Sequence, residues 1–149
     1  DKIKCQSACS ISMFLLNYEE ENFAIEVTVE IGQGSAAGVL FRANSSGDEA
    51  MFIRLSLDEN EIQLVKQIKT LDWLGYLRVE RAIVQSAKFP LQTGNEYKLH
   101  VITSHEYIEV SINERVKLSA MSWVLKKGRI GIFGEYGIGF FKNFRLWRI

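Results

Sequence analysis

Phe23-Ala24-Ile25-Glu26-Val27-Thr28-Val29-Glu30-Ile31 alternates without a break, and its period decides the fold class. Phe23, Ile25, Val27, Val29 and Ile31 point one way and Ala24, Glu26, Thr28 and Glu30 the other, the period of two of a half-buried strand. The odd-numbered face is the expected core. Gly32-Gln33-Gly34-Ser35 reads as a turn, and Gly38 to Asn44 as the strand after it. The polar loop Asn44-Ser45-Ser46-Gly47-Asp48-Glu49 then makes a hairpin with Ala50 to Leu57. A symmetric loop would set Arg42 near Phe52 and Leu40 near Arg54. Leu40, Arg42, Phe52 and Arg54 then share one face, and Val39, Phe41, Met51, Ile53 and Leu55 the other. A guanidinium in an otherwise oily hairpin must meet a carboxylate or face a ligand.

Outward from this hairpin the same signals recur. Upstream, Cys9 to Leu15 reads as a first strand, with Glu19-Glu20-Glu21 as an exposed connection. Downstream, Asp58-Glu59-Asn60-Glu61 turns the chain, and Ile62, Leu64 and Lys66 alternate with Gln63, Val65 and Gln67 as the third strand of a meander. Between Lys69 and Lys88 the pattern loosens, so that strand, irregular loop and short helix all stay open. Tyr97, Leu99, Val101 and Thr103 resume the alternation, a hairpin through Ser104-His105-Glu106 leads to Tyr107–Ile112, and Asn113-Glu114-Arg115 turns again. Ser119 to Leu125 carries Trp123. Arg129 to Phe133 is the next strand, and the loop Gly134-Glu135-Tyr136-Gly137-Ile138-Gly139 introduces the last, Phe140 to Ile149. Short strands separated by turn signals, with no sustained helical period, predict an all-β, antiparallel two-sheet sandwich or barrel.

Composition narrows the function. Hydrophobic residues make up 47% and charged residues 24%, the values of a globular chain long enough for one domain over residues 1–149. Lys plus Arg and Asp plus Glu both number 18, which removes the electrostatic term on which nucleic-acid binding relies. The run Met13-Phe14-Leu15-Leu16 is far short of the roughly 20 residues that cross a bilayer, so no membrane role is expected. A start at Asp1 rather than Met fits a processed chain or an excised module. Cys5 and Cys9, four apart, would stand roughly 13 Å from one another in an extended strand, and both thiols are expected free.

Asn22 to Val29, Ala36 to Ala43, Glu96 to Val101, Ile108 to Asn113, Gly128 to Ile132 and Phe141 to Phe144, in that order and spacing, resemble the concanavalin A-like, laminin G-like jelly-roll modules. Within that group the chain is most similar to the fructan-binding carbohydrate-binding module appended to levanases and related family 32 glycoside hydrolases. The resemblance implies a jelly roll that binds terminal sugars of a polysaccharide, fructan among them, outside the cell and beside a covalently linked catalytic domain. It implies a shallow pocket of acidic residues and an arginine, here Glu26 and Arg42, with Glu135 and Tyr136 as another wall. Where an acidic residue is implied in the first strand the chain has Ser10 and Ser12, and the stretch from Lys69 to Lys88 is longer than the resemblance implies. A laminin G-like adhesion or protein-recognition domain is the alternative.

Other residues extend or limit this reading. Arg42 and Glu26 both leave the core face by parity, so they either present to sugar hydroxyls or pair with each other across adjacent strands. Arg54 either joins the same polar group or is a lone arginine on a solvated sheet face. Phe52 either stacks on a sugar or is buried under a loop, and for Trp73, Tyr76 and Trp123 packing is the expectation, as it is for Trp147. Gly134-x-x-Gly137-x-Gly139 leads into a strand, so the helix N-terminus of a dinucleotide site is missing. His100 and His105 have no third ligand at a recognisable spacing. Asp48, Glu49, Asp58 and Glu59 are the candidate oxygens for a structural calcium, although their place in turns suits solvated charge. No strand carries a paired-carboxylate run and no nucleophile elbow is present, so a non-catalytic module is expected.

Overall fold

The computed structural model describes residues 2–6, 11–122 and 125–149, and these form an antiparallel two-sheet jelly-roll sandwich. Its strands are β1 (Ile3–Gln6), β2 (Ile11–Glu20), β3 (Phe23–Gln33), β4 (Ala36–Ala43), β5 (Ala50–Ser56), β6 (Glu61–Leu71), β7 (Leu77–Lys88), β8 (Glu96–Ser104), β9 (Tyr107–Ile112), β10 (Arg115–Met121), β11 (Gly128–Glu135) and β12 (Ile138–Arg148). One sheet runs β1-β12-β3-β8-β9-β10 and the other β2-β11-β4-β5-β6-β7. The chain changes sheet between β1 and β2, β2 and β3, β3 and β4, β7 and β8, β10 and β11, and β11 and β12, so the second sheet is completed only by β11 and the first only by β12.

The core lies between the sheets. Phe23, Ile25, Val27, Val29 and Ile31 are all fully buried there, as the alternation of β3 predicts. Val39, Phe41, Met51, Ile53 and Leu55 meet them from the second sheet, and the Phe41 ring stands edge-on to Phe23 at 5.9 Å. Burying a side chain of this size stabilises by about 1.5–3 kcal/mol, so this face commits the strands to their register.

Three features differ from the sequence reading. β1 exists as a separate short strand paired with β12, and β2 runs on through Glu19 and Glu20, which pair with Arg129 and Gly128 rather than forming a loop. Lys69–Lys88 is not loose: β6 and β7 form a long hairpin whose pairing continues to Leu71 and Leu77. The β4–β5 register is Leu40 with Phe52 and Gly38 with Arg54, two residues from a symmetric loop, because the loop folds on itself. Asn44 Oδ1 accepts from the amides of Gly47 and Glu49, and Asn44 Nδ2 donates to Asp48. A two-residue slip keeps every parity, so Leu40, Phe52 and Arg54 still share a face.

Cys5 is buried, and burial pushes its thiol pKa up; Cys9 lies outside the described residues. No group of three or more His, Cys, Asp or Glu is set to hold a metal among the described residues, so the calcium reading has no geometry behind it. Asp48 instead accepts hydrogen bonds from Asn44 and Ser46 and pairs with Lys69 at 3.1 Å, while Glu49 accepts from the Lys69 amide.

These contacts, the Asn44 bond foremost, hold the Asp48 carboxyl down at about 2. A depressed carboxylate stabilises above its unfolded value near 4 and loses that contribution as pH falls through its folded value. Asp48→Asn is therefore expected to lower the thermal midpoint at pH 7, with the gap to the parent closing between about pH 4 and pH 2 in a melting series.

Candidate functional site

The two residues that the resemblance paired are on different sheets. Glu26 is on the outer face of the first sheet, where β3 lies between β12 and β8, and its Oε1 accepts from Arg145 Nη2 at 2.7 Å with Lys98 Nζ at 3.4 Å. The Arg145 bond, ahead of the charges of Arg145 and Lys98, lowers its pKa. Arg42 neither pairs with it nor faces solvent. Its backbone is left-handed, with φ at 54°, and β4 carries an extra residue against β11 there, Gly131 lying opposite Leu40 but Arg129 opposite Ala43. The bulge turns Arg42 out of the alternation and puts Ala43 in its place beside Leu40 and Phe52. Gly128 closes against this kink: a Cβ there would meet the Ala43 oxygen at 2.4 Å.

Arg42 is 1% exposed. Its Nη1 donates to the Leu125 oxygen at 3.0 Å, and Nη2 donates to the oxygen of His105, in the β8–β9 turn of the opposite sheet. Burial lowers its pKa against the opposing pull of Glu21 and Glu106, yet a guanidinium stays charged in proteins. Arg42 is therefore a clamp between the ends of the two sheets.

Arg54, Glu135 and Tyr136 do come together, on the outer face of the second sheet. Glu135, at the end of β11, is only 3% exposed. Its Oε2 accepts from Arg54 Nε at 2.8 Å and its Oε1 from Arg81 Nη2 at 2.7 Å. Arg54 Nη1 donates to Gln63 Oε1 at 2.9 Å, Gln63 Nε2 to Glu59 Oε2 at 2.5 Å, and Arg81 Nε to Gln67 Oε1 at 3.1 Å. Arg54 on β5 reaches Glu135 across β4 because β4 presents Ala36 and Gly38 there, which leave the path open.

Arg81 needs a larger distortion. β7 and β11 are four strand spacings apart, about 19 Å in a flat sheet, which no arginine–glutamate pair spans. The bridge exists because the sheet curls. β7 carries Val84 as an extra residue against Leu64 and Val65, a bulge that bends the edge over the outer face. The Arg81 guanidinium then lies 5.0 Å from the Phe52 ring centroid, and Phe52 packs edge-on against Phe133. Phe52 is thus buried, in a second apolar cluster with Leu40, Val65 and Phe133 on the outer side of the sheet.

The curl leaves two open depressions flanking Arg81, each of about 230 Å³. Arg54, Glu59, Gln63, Ala82 and Ile83 line one; Ile11, Gln67, Glu135 and Tyr136 line the other. Tyr136, with φ at 53°, is the exposed residue of the β11–β12 turn. Among the described residues these bonds use two of the five guanidinium donors of Arg81, beside the carboxylate and amides. A fixed fork of donors next to acceptors suits vicinal hydroxyl groups.

Arg81, Gln63 and Gln67 were not singled out from sequence. Gln63 and Gln67 have the parity of Arg54's face, which was a usable signal; Arg81 lay in the stretch whose structure was open. Trp73 and Tyr76 are exposed rather than packed, Trp147 is half-exposed and stacked on His100, and Trp123 lies outside the described residues.

No family model matches the sequence, and no curated protein is similar to it by sequence. The fold does have solved counterparts. A carbohydrate-binding module, CBM66, from Bacillus subtilis superposes with a TM-score of 0.81 at 15% identity, over 94% of this chain and 83% of that one. A fructosyltransferase from A. japonicus superposes with a TM-score of 0.68 at 17% identity, over 100% of this chain, which spans 25% of that protein. Sheep galectin-11 superposes with a TM-score of 0.57 at 8% identity, over 95% of this chain. At these identities the likeness is one of fold.

Replacing Arg42 by Met leaves two main-chain carbonyls without their donor, and a loss of about 3 kcal/mol is expected in chemical denaturation. Glu26→Gln, on a solvated face, is expected to leave the denaturation midpoint nearly unmoved.

Proposed function

We propose that this chain is a non-catalytic carbohydrate-binding module, one sandwich that holds a terminal sugar of a polysaccharide and targets a linked glycoside hydrolase outside the cell. The observation that carries this reading is the Arg54–Glu135–Arg81 bridge at the floor of two open depressions. A carboxylate with each oxygen held by a guanidinium is fixed as an acceptor, and the other donors of Arg81 sit beside it. Both partners are oriented before a ligand arrives, so binding does not have to order them.

Two further points support the assignment. Tyr136 and Ile83 border the depressions with apolar surface, which suits the C–H faces of a sugar ring as the charged groups suit its hydroxyls. The fold is shared with a carbohydrate-binding module and with proteins that act on fructosyl substrates, which favours fructan among the ligands. Each Glu135 oxygen already accepts from an arginine, which supports a binding role over hydrolysis.

The test is a binding screen of the purified chain against fructans, glucans and galactans by calorimetry and thermal shift. Binding of at least one class is expected. Arg81→Ala, which removes charge-assisted bonds at a partly exposed position, is expected to weaken it by roughly 10- to 100-fold while the fold is retained by circular dichroism. If all three classes leave the heat signal and the melting midpoint unchanged, the sugar reading fails.

A further inference from the structure

The β6–β7 hairpin continues past the sheet. β5 pairs with β6 only as far as Gln67, so Ile68–Leu71 and Leu77–Glu80 form a two-stranded ribbon with no further strand beside it among the described residues. Its tip, Asp72-Trp73-Leu74-Gly75-Tyr76, is tightly built. Asp72 Oδ1 accepts from the amides of Leu74 and Tyr76 at 2.9 Å, Oδ2 accepts from Arg78 Nε at 3.0 Å, and the Gly75 amide donates to the Asp72 oxygen. This rigid turn holds Trp73 90% exposed and Tyr76 68% exposed. An aromatic surface kept in water on an ordered turn marks a contact for something else.

The ribbon is continuous with the proposed sugar site. In the unbroken β6–β7 register Gln67 lies opposite Arg81, Lys69 opposite Val79 and Leu71 opposite Leu77, and alternation puts all of these on one face. That is the face on which Arg81 and Gln67 line the depressions. Above Arg81, apart from Lys69, which is paired with Asp48, it is apolar, with Val79, Leu77 and Leu71 exposed in a row that ends at Trp73 and Tyr76. Arg81 to Leu77 is about 13 Å, longer than one sugar ring. The cations along the ribbon are already matched, Lys69 with Asp48, Arg78 with Asp72 and Arg81 with Glu135, so little free positive charge is left for an anionic surface.

We propose that this ribbon is an extended subsite on which a neutral polysaccharide, its end held at Arg54–Glu135–Arg81, lies along Val79 and Leu77 and stacks on Trp73 and Tyr76. The inference rests on the sugar-binding reading and adds chain length to it. The hydrogen-bonding site takes the terminal residue, while the ribbon takes residues further along and so favours polymer over fragment.

The experiment compares levan, a β-glucan and a galactan, each beside its own trisaccharide, with the parent chain, Trp73→Ala and Trp73→Ala/Tyr76→Ala. Calorimetry reads the trisaccharides, and affinity electrophoresis reads the polymers. For the sugar that the parent binds, the variants are expected to keep trisaccharide affinity within twofold and to lose roughly tenfold on the polymer. Equal polymer affinity in parent and variants overturns the inference and leaves the sugar site standing. So does loss of self-association in sedimentation with polymer binding intact, which would make the ribbon a contact between copies. If the parent binds no trisaccharide and no polymer, the sugar-binding reading falls and the ribbon subsite with it.

Discussion

A carboxylate shut away from water must be given donors, and Glu135 draws them from strands on the far side of its own sheet. Arg54 reaches it over the gap left by Ala36 and Gly38, and Arg81 reaches it only because β7 curls over the outer face. That bridge and the curl are mutually dependent. The curl shelters Phe52, Phe133 and Val65 on what would otherwise be a wet surface, and this second apolar cluster supports the guanidinium above it. Desolvation strengthens the ion pairs, and the ion pairs hold closed the fold that desolvates them. The hollow beside Arg81 is a consequence of the same bend.

The hairpin of β4 and β5 shows how little residue type says about role. Arg42 and Arg54 both interrupt an apolar run, and both have a planar fork of donors. One sits on a bulge with left-handed backbone and clamps the two sheets through main-chain oxygens; the other keeps its strand's alternation and belongs to the site. The difference is one extra residue in β4. Glu26 similarly has the acid chemistry expected of a sugar site, but its neighbours are Arg145 and Lys98 on the opposite face of the sandwich.

The proposed polymer subsite would give the long β6–β7 hairpin a part in the same arrangement. A strand that bends to deliver Arg81 also aims its extension, so the polar hollow and the apolar ribbon lie on one continuous face. Local hydrogen bonds around Asp72 make the tip rigid, which lets exposed aromatic surface be presented without an ordering cost on contact.

By itself the sequence determined the fold class and the core faces of β3, β4 and β5, because alternation with a period of two depends only on neighbours along the chain. It also placed Arg54, Glu135 and Tyr136 among the candidates. The continuous apolar runs of β4 and β5 carried a further signal, since a strand buried on both faces loses its alternation. What only the tertiary structure decided was which charges meet. Glu135 and Arg81 are 54 residues apart. They are brought together by a bulge, a sheet bend and the order of strands, and none of these is written in the spacing of residues along a single strand. The fate of Arg42 depended on the same kind of fact, a one-residue register change against β11, which turns a side chain from the surface into the interior.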